Sequence, residues 1–170
     1  MILSEILTHT FMNLGSCSTA LFVRDIHKAK DFYINLLGLQ VEYDFGTNVA
    51  LKGGVALWQV KEDHPIPQKL GVENTLNRSS NRFELYFETE NLQEVYRTLS
   101  EAGVAFLHEV HEEEWGQRTI RFFDPDSHLI EIGEAMPTFL QRLYGQGLTV
   151  EEVSEKTGVS GDDIRRLLNL

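Results

Sequence analysis

The chain reads as one short unit written twice. From Ser18 it runs Ser-Thr-Ala-Leu-Phe-Val-Arg-Asp-Ile, passes through a helix-like stretch and closes on Leu-Leu-Gly-Leu-Gln-Val. From Glu84 it runs Glu-Leu-Tyr-Phe-Glu-Thr-Glu-Asn-Leu, passes through a second helix-like stretch and closes on Glu-Ala-Gly-Val-Ala-Phe. Leu92 follows Ile26 by 66 residues, and Gly103 follows Gly38 by 65. A duplicated strand–helix–strand unit of this size is expected to pack with its twin and to build a site between the halves. The repeat therefore says where to look for chemistry before any single residue does.

Hydrophobic periodicity fills in the unit. Residues 18–24 alternate as a strand, and Asp25 is placed to cap the helix that follows. Ala29, Phe32, Tyr33, Leu36 and Leu37 fall at helical spacing, and Gly38 ends the run. Strands are expected at residues 39–45, 47–51 and 55–60, with Gly46, Gly53 and Gly54 at the turns. Residues 61–81 read as a linker, carrying Pro65, Pro67 and the polar run Asn-Arg-Ser-Ser-Asn. In the second copy, Phe83, Leu85 and Phe87 alternate with Glu84, Tyr86 and Glu88, the pattern of a half-buried strand. Asn91 caps a helix whose stripe is Leu92, Val95, Tyr96 and Leu99. Strands at residues 104–110, 117–123 and 128–133 complete the unit, with Asp124-Pro125-Asp126-Ser127 as a turn. Residues 1–13 suggest a short N-terminal helix, and residues 136–170 read as helices only.

Composition narrows the partners. The 170 residues, 42% hydrophobic, suffice for a packed interior of one domain with an appendage. A net charge of −11 repels phosphate backbones and anionic bilayers, so neither nucleic acid nor membrane is expected as a partner. The single cysteine, Cys17, permits no intrachain disulfide, and no adjacent basic group marks it as a nucleophile. With no basic leader and no membrane-length apolar run, a cytoplasmic location is expected.

The two copies together, with Val23-Arg24-Asp25-Ile26, Phe32-Tyr33 and Leu37-Gly38-Leu39 in one and Phe122-Phe123-Asp124-Pro125-Asp126-Ser127-His128-Leu129-Ile130-Glu131 in the other, resemble the vicinal oxygen chelate superfamily. That group holds glyoxalase I, the extradiol dioxygenases and the bleomycin and fosfomycin resistance proteins. The resemblance covers residues 14–135 and implies an α+β fold of paired βαβββ units forming a half-barrel. The halves would be residues 14–60 and 82–135, with a C-terminal helical extension and a homodimeric assembly. It also implies metal ligands on the first and last strand of each half. Ser18, Gln59, Glu84 and Glu131 stand at or beside those positions. Glu84 and Glu131 are hard oxygen ligands, a glutamine carbonyl is a weak one, and a serine hydroxyl is poor. The His-His-Glu iron site of the ring-cleaving dioxygenases is not supported by these residues.

Several residues admit two readings. Glu84 and Glu131 are metal ligands and general bases, or outward strand acids. Glu134 reads as a solvated strand-end acid, and His128 as a turn or strand-edge residue. Trp58 and Tyr86 line a pocket or belong to the core. Trp115 is a lid over a ligand or a plug at a dimer seam. Arg118, with Arg121 nearby, receives a substrate anion or pairs with residues 112–114. His108 and His111 read as an exposed pair. Residues 148–168 resemble a helix-turn-helix, with capping-box spacing from Thr149 to Glu152. Five acids against three bases in residues 145–170 argue against DNA as its target and for an appendage that packs on the barrel, on a partner subunit or on another protein.

Two functions from different classes follow. The first is a lyase or isomerase that uses nickel, manganese, zinc, iron or magnesium on Glu84, Glu131 and Gln59, with one carboxylate as base. The second is a metal-free protein that binds a small aromatic or anionic molecule, after the bleomycin-resistance type, through Trp58, Tyr86, Trp115 and Arg118.

Overall fold

The computed structural model describes residues 17–77 and 83–170. The helix expected at residues 1–13 lies outside the described residues.

The repeat appears as two four-stranded mixed sheets of identical topology. The first contains β1 (Thr19–Phe22), β2 (Val41–Asp44), β3 (Asn48–Leu51) and β4 (Val55–Trp58), in the order β1-β4-β3-β2. The second contains β5 (Leu85–Thr89), β6 (Phe106–Glu112), β7 (Arg118–Phe123) and β8 (Leu129–Glu134), in the order β5-β8-β7-β6. In each, the first strand runs parallel to the last, β1 to β4 and β5 to β8, and the remaining pairs are antiparallel. A parallel pair needs a crossover, and the helix after the first strand supplies it.

Those helices are α1 (Ile26–Lys30) and α3 (Leu92–Glu101). Asp25 accepts hydrogen bonds from the N–H groups of His27 and Lys28, and Asn91 accepts one from Glu94, so both N-termini are capped as expected. α1 continues as a π-helical turn over Asp31–Leu36, where the Leu37 N–H reaches the Phe32 carbonyl at 2.9 Å. The wider turn leaves both Phe32 and Tyr33 buried.

One hydrophobic core lies on the helix side of both sheets. It joins Leu21, Val23, Val49, Leu51 and Leu57 of the first half to Ile120, Phe122, Ile130 and Ile132 of the second. Phe32 meets Phe122 across the halves at a ring separation of 6.3 Å. Fully burying a side chain of this size stabilises the fold by about 1.5–3 kcal/mol. The turn after β7 adds polar ties: the Tyr33 hydroxyl donates to Asp124 at 2.8 Å, and Arg24 Nε donates to Asp126 at 2.6 Å.

The expected linker is partly helical. It contains α2 (Pro65–Leu70) and a π-helical turn at Glu73–Asn77. The prolines that argued for irregular chain instead start the helix: Pro65 occupies its first turn, where no N–H is needed, and His64 caps it.

The C-terminal region forms α4 (Met136–Gly145), α5 (Val150–Thr157) and α6 (Gly161–Leu168), as its helical reading required. The Thr149–Glu152 capping box is present, and Gly158 ends α5 in the left-handed region. Phe139, Leu140, Leu143, Val153 and Ile164 make a separate small core.

Candidate functional site on the second sheet

Strand alternation decides which side chains leave the core. On β5, Leu85 is buried and Tyr86 exposed. On β7, Ile120 and Phe122 are buried in the core, so Thr119, Arg121 and Phe123 take the opposite face. On β8, Ile130 and Ile132 enter the core and Glu131 turns away. The register then sets Glu131 beside Tyr86 on one flank and Arg121 on the other. Glu84, immediately before β5, joins them.

Arg121 organises this face. Its Nε donates to Glu84 at 3.1 Å, its Nη1 donates to Glu113 at 2.8 Å, and its Nη2 pairs with Glu131. The same Nη1 lies 3.3 Å from His108 Nε2. One planar fork thus spans three carboxylates, a geometry that a point-like cation cannot reproduce. Burial pushes the Glu131 carboxyl up to about 7, Arg121 opposes that shift, and the nearby Glu84 adds to it. Glu113 is held below its usual range by its hydrogen bond to Arg121.

A second chain of hydrogen bonds runs along the edge of the same face. Gln117 Nε2 donates to the Tyr86 hydroxyl and to the Glu134 carbonyl, both at 2.8 Å, and Trp115 Nε1 donates to Gln117 Oε1 at 3.3 Å. The Tyr86 hydroxyl donates to Glu88 at 3.1 Å. Gly133 makes this junction sterically feasible, because a Cβ there would stand 2.7 Å from Gln117 Nε2. Tyr86 and Trp115 remain 47% and 42% exposed, so both rings are accessible beside the carboxylates.

Of the residues expected to form a site, the structure brings Glu84 and Glu131 together around Arg121, and links Tyr86 to Trp115 through Gln117. Three others sit elsewhere. Gln59 Oε1 accepts the Ile26 N–H at 2.9 Å, so its carbonyl serves the first turn of α1 and not a metal. Trp58 belongs to the first sheet, edge-on to Phe22 and to His64. Arg118 pairs with Glu112 at 3.2 Å, the salt-bridge alternative. Its neighbour Glu134, expected to be solvated, is buried and held by Arg142 at 2.7 Å. His108 and His111 do stand together, with ring centroids 5.8 Å apart.

The donor set does not fit a divalent metal. Metal ligation would need Glu84 and Glu131 to turn their oxygens to one ion, and both turn them to a guanidinium. Among the described residues, no group of three or more His, Cys, Asp or Glu side chains has metal-holding geometry. Gln117 was the residue that patterning passed over, while Arg121, read beside Arg118 as an anion receptor or a partner of residues 112–114, takes the salt-bridge alternative with Glu113. The signal for Arg121 was its position between Thr119 and Phe123, outward on a strand whose other face is wholly apolar.

The appendage docks beside this face. Arg142 Nη2 donates to the Gly116 carbonyl at 2.6 Å, and Lys156 Nζ donates to the Glu114 carbonyl at 3.3 Å. Both contacts hold the loop that carries Trp115.

Comparison with known proteins supplies an independent line. Residues 17–137 match the family model of the glyoxalase-like domain. The uncharacterized protein YraH of Bacillus subtilis is 30% identical over 120 residues, spanning 66% of this chain and 91% of YraH. A crystal structure of a protein of unknown function from Agrobacterium tumefaciens superposes with a TM-score of 0.62 at 30% identity, covering 75% of this chain and 98% of its own. A member of the glyoxalase/bleomycin resistance protein/dioxygenase superfamily from Sphaerobacter thermophilus gives 0.55 at 26% identity, covering 73% and 100%.

Proposed function

Given that the chain belongs to the glyoxalase-like domain family, we propose that it is a small-molecule binding protein that works without a metal on the second sheet. The observation that carries this reading is Arg121, whose guanidinium engages both of the carboxylates that the chelate mechanism would need.

The ligand chemistry follows from the charge around that residue. Glu84, Glu113 and Glu131 fill the forks of one arginine, and Glu88 adds a fourth carboxylate at the Tyr86 hydroxyl. No guanidinium edge is left for a substrate anion, and the surplus is negative. A cationic molecule with a flat apolar body suits this face. Its charge would meet Glu84 and Glu88, and its ring would lie against Tyr86 and Trp115. A cation over an exposed aromatic ring gains about 0.5–1 kcal/mol.

The sheet face is open in a single chain, and homodimerisation would close it. The outer strand β2 and the turn after it leave Tyr43 and Phe45 exposed and stacked, an apolar edge suited to such an assembly. Cys17 is exposed and unpaired, which fits the reducing cytoplasm. No helix among the described residues is long and apolar enough to cross a membrane.

The test has two arms. Metal content of the purified protein, after exposure to nickel, manganese, zinc, iron or magnesium, is expected to stay far below one ion per chain. A near-stoichiometric ion that disappears in Glu84→Gln and Glu131→Gln would overturn the metal-free reading and restore the lyase or isomerase. In the second arm, titration calorimetry with benzyltrimethylammonium is expected to show binding weakened by Tyr86→Ala and by Glu88→Gln. Equal binding of the uncharged neopentylbenzene would refute the cationic preference.

A further inference from the structure

A cavity at the start of β8 shares no lining residue with the carboxylate face. It holds about 390 Å³, within the range of small-ligand sites. Phe22 of β1, Leu70 of α2 and Phe83 provide apolar walls. The polar lining comes from Asn74, Thr75 and His128.

Two of those polar groups are already engaged. Asn74 Nδ2 donates to the Leu70 carbonyl at 3.3 Å, and Thr75 Oγ1 donates to the Gly71 carbonyl at 2.9 Å. His128 differs. Its Nδ1 is 2.8 Å from Asp124 Oδ2, and its side chain is only 13% exposed. Asp124 also accepts from the Tyr33 hydroxyl at 2.8 Å and from the N–H groups of Asp126 and His128 at 2.9 and 2.7 Å. That carboxylate is immobilised and accepts only. It therefore fixes the ring orientation and draws the proton of neutral His128 to Nδ1. Nε2 is left as a bare acceptor on a ring that lines an apolar chamber, with no protein partner among the described residues.

We propose that this cavity binds a small apolar molecule carrying a hydroxyl group, whose O–H donates to His128 Nε2 while its body lies between Phe22, Phe83 and Leu70. The turn Asp124-Pro125-Asp126-Ser127 is then more than a connection between β7 and β8. It holds the imidazole as the cavity's polar anchor, and Tyr33 braces it from the opposite half. An alcohol or phenol satisfies the acceptor, whereas a hydrocarbon of the same shape leaves it unpaired.

Phenol and toluene are the probes, because they share a ring and differ in the donor. Phenol titrated into the 15N-labelled protein is expected to move the His128 Nε2 resonance saturably, and toluene is expected to leave it near its free position. His128→Phe is expected to weaken phenol about tenfold, the size of one hydrogen bond, without weakening toluene. Ala20→Trp, which fills the chamber and leaves the Asp124–His128 pair intact, is expected to abolish phenol binding while Nδ1 keeps its bonded shift. A His128 Nε2 signal unmoved at millimolar phenol overturns the proposal. So does equal dependence of phenol and toluene on His128, and so does undiminished phenol binding in Ala20→Trp.

Discussion

Glu131 shows how a residue's character depends on its neighbours. Its carboxyl is driven up from 4.5 to about 7 by burial, so the folded chain binds a proton there more tightly than the unfolded chain does. This group's contribution to stability is fully present below pH 4.5 and is lost as pH rises through 7. Urea midpoints measured from pH 4 to 8 should therefore fall less steeply in Glu131→Gln than in the native protein. Parallel slopes would show that Arg121 cancels the burial effect completely. Ser127 makes the same point for the backbone. It sits at φ 70°, in the left-handed region that disfavours a Cβ. Ser127→Gly should stabilise the fold by about 1 kcal/mol, read as a higher melting temperature.

At the level of elements, the face of the second sheet depends on strand register and on one missing side chain. Gly133 lies opposite Thr119 on β7 and leaves room for the Gln117 amide against Tyr86. Gly133→Ala should push Gln117 aside and cost about 1–3 kcal/mol as an overpacked site. The Trp115 emission should change as its indole loses Gln117, while the Arg121 cluster two residues along stays intact. Unchanged emission would mean that the loop is held by the appendage alone. The helical linker belongs to this scale too. Pro65 and Pro67 stop a strand, but they cannot tell an irregular connection from a short helix that begins on proline.

In the whole molecule, one core joins the duplicated halves and a smaller one serves the appendage. Between those two bodies stands Arg142, which reaches Glu134, Glu112 and the Gly116 carbonyl. Glu134 is 7% exposed, so removing its cation leaves a buried carboxylate with only the Arg118 N–H to compensate it. Arg142→Met should cost on the order of 3 kcal/mol and raise hydrogen exchange across α5 and α6. Exchange confined to α4 would show the appendage docked by its apolar contacts. Fold class was legible in the sequence because alternation, caps and the Asp-Pro-Asp turn are local patterns that bind residues within a few positions, and the duplication repeats them. They were enough to turn Glu84 and Glu131 outward on their own strands, while the family resemblance implied that the two acids share a site and that the two units pair. Charge pairing was legible only within one hairpin, where Arg118 and Arg121 reach Glu112 and Glu113. Arg121 meets Glu84 across 37 positions, and Gln59 meets Ile26 across 33. Whether a strand acid faces a metal, a ligand or a guanidinium depends on which chain segment arrives beside it. The sequence by itself determined the repeat, its strands and helices, and the acids they carry. Only the tertiary structure decided that those acids close on an arginine, and that the histidine after the turn opens onto a cavity, because Coulomb and hydrogen-bond partners are chosen by distance in space and not by spacing along the chain.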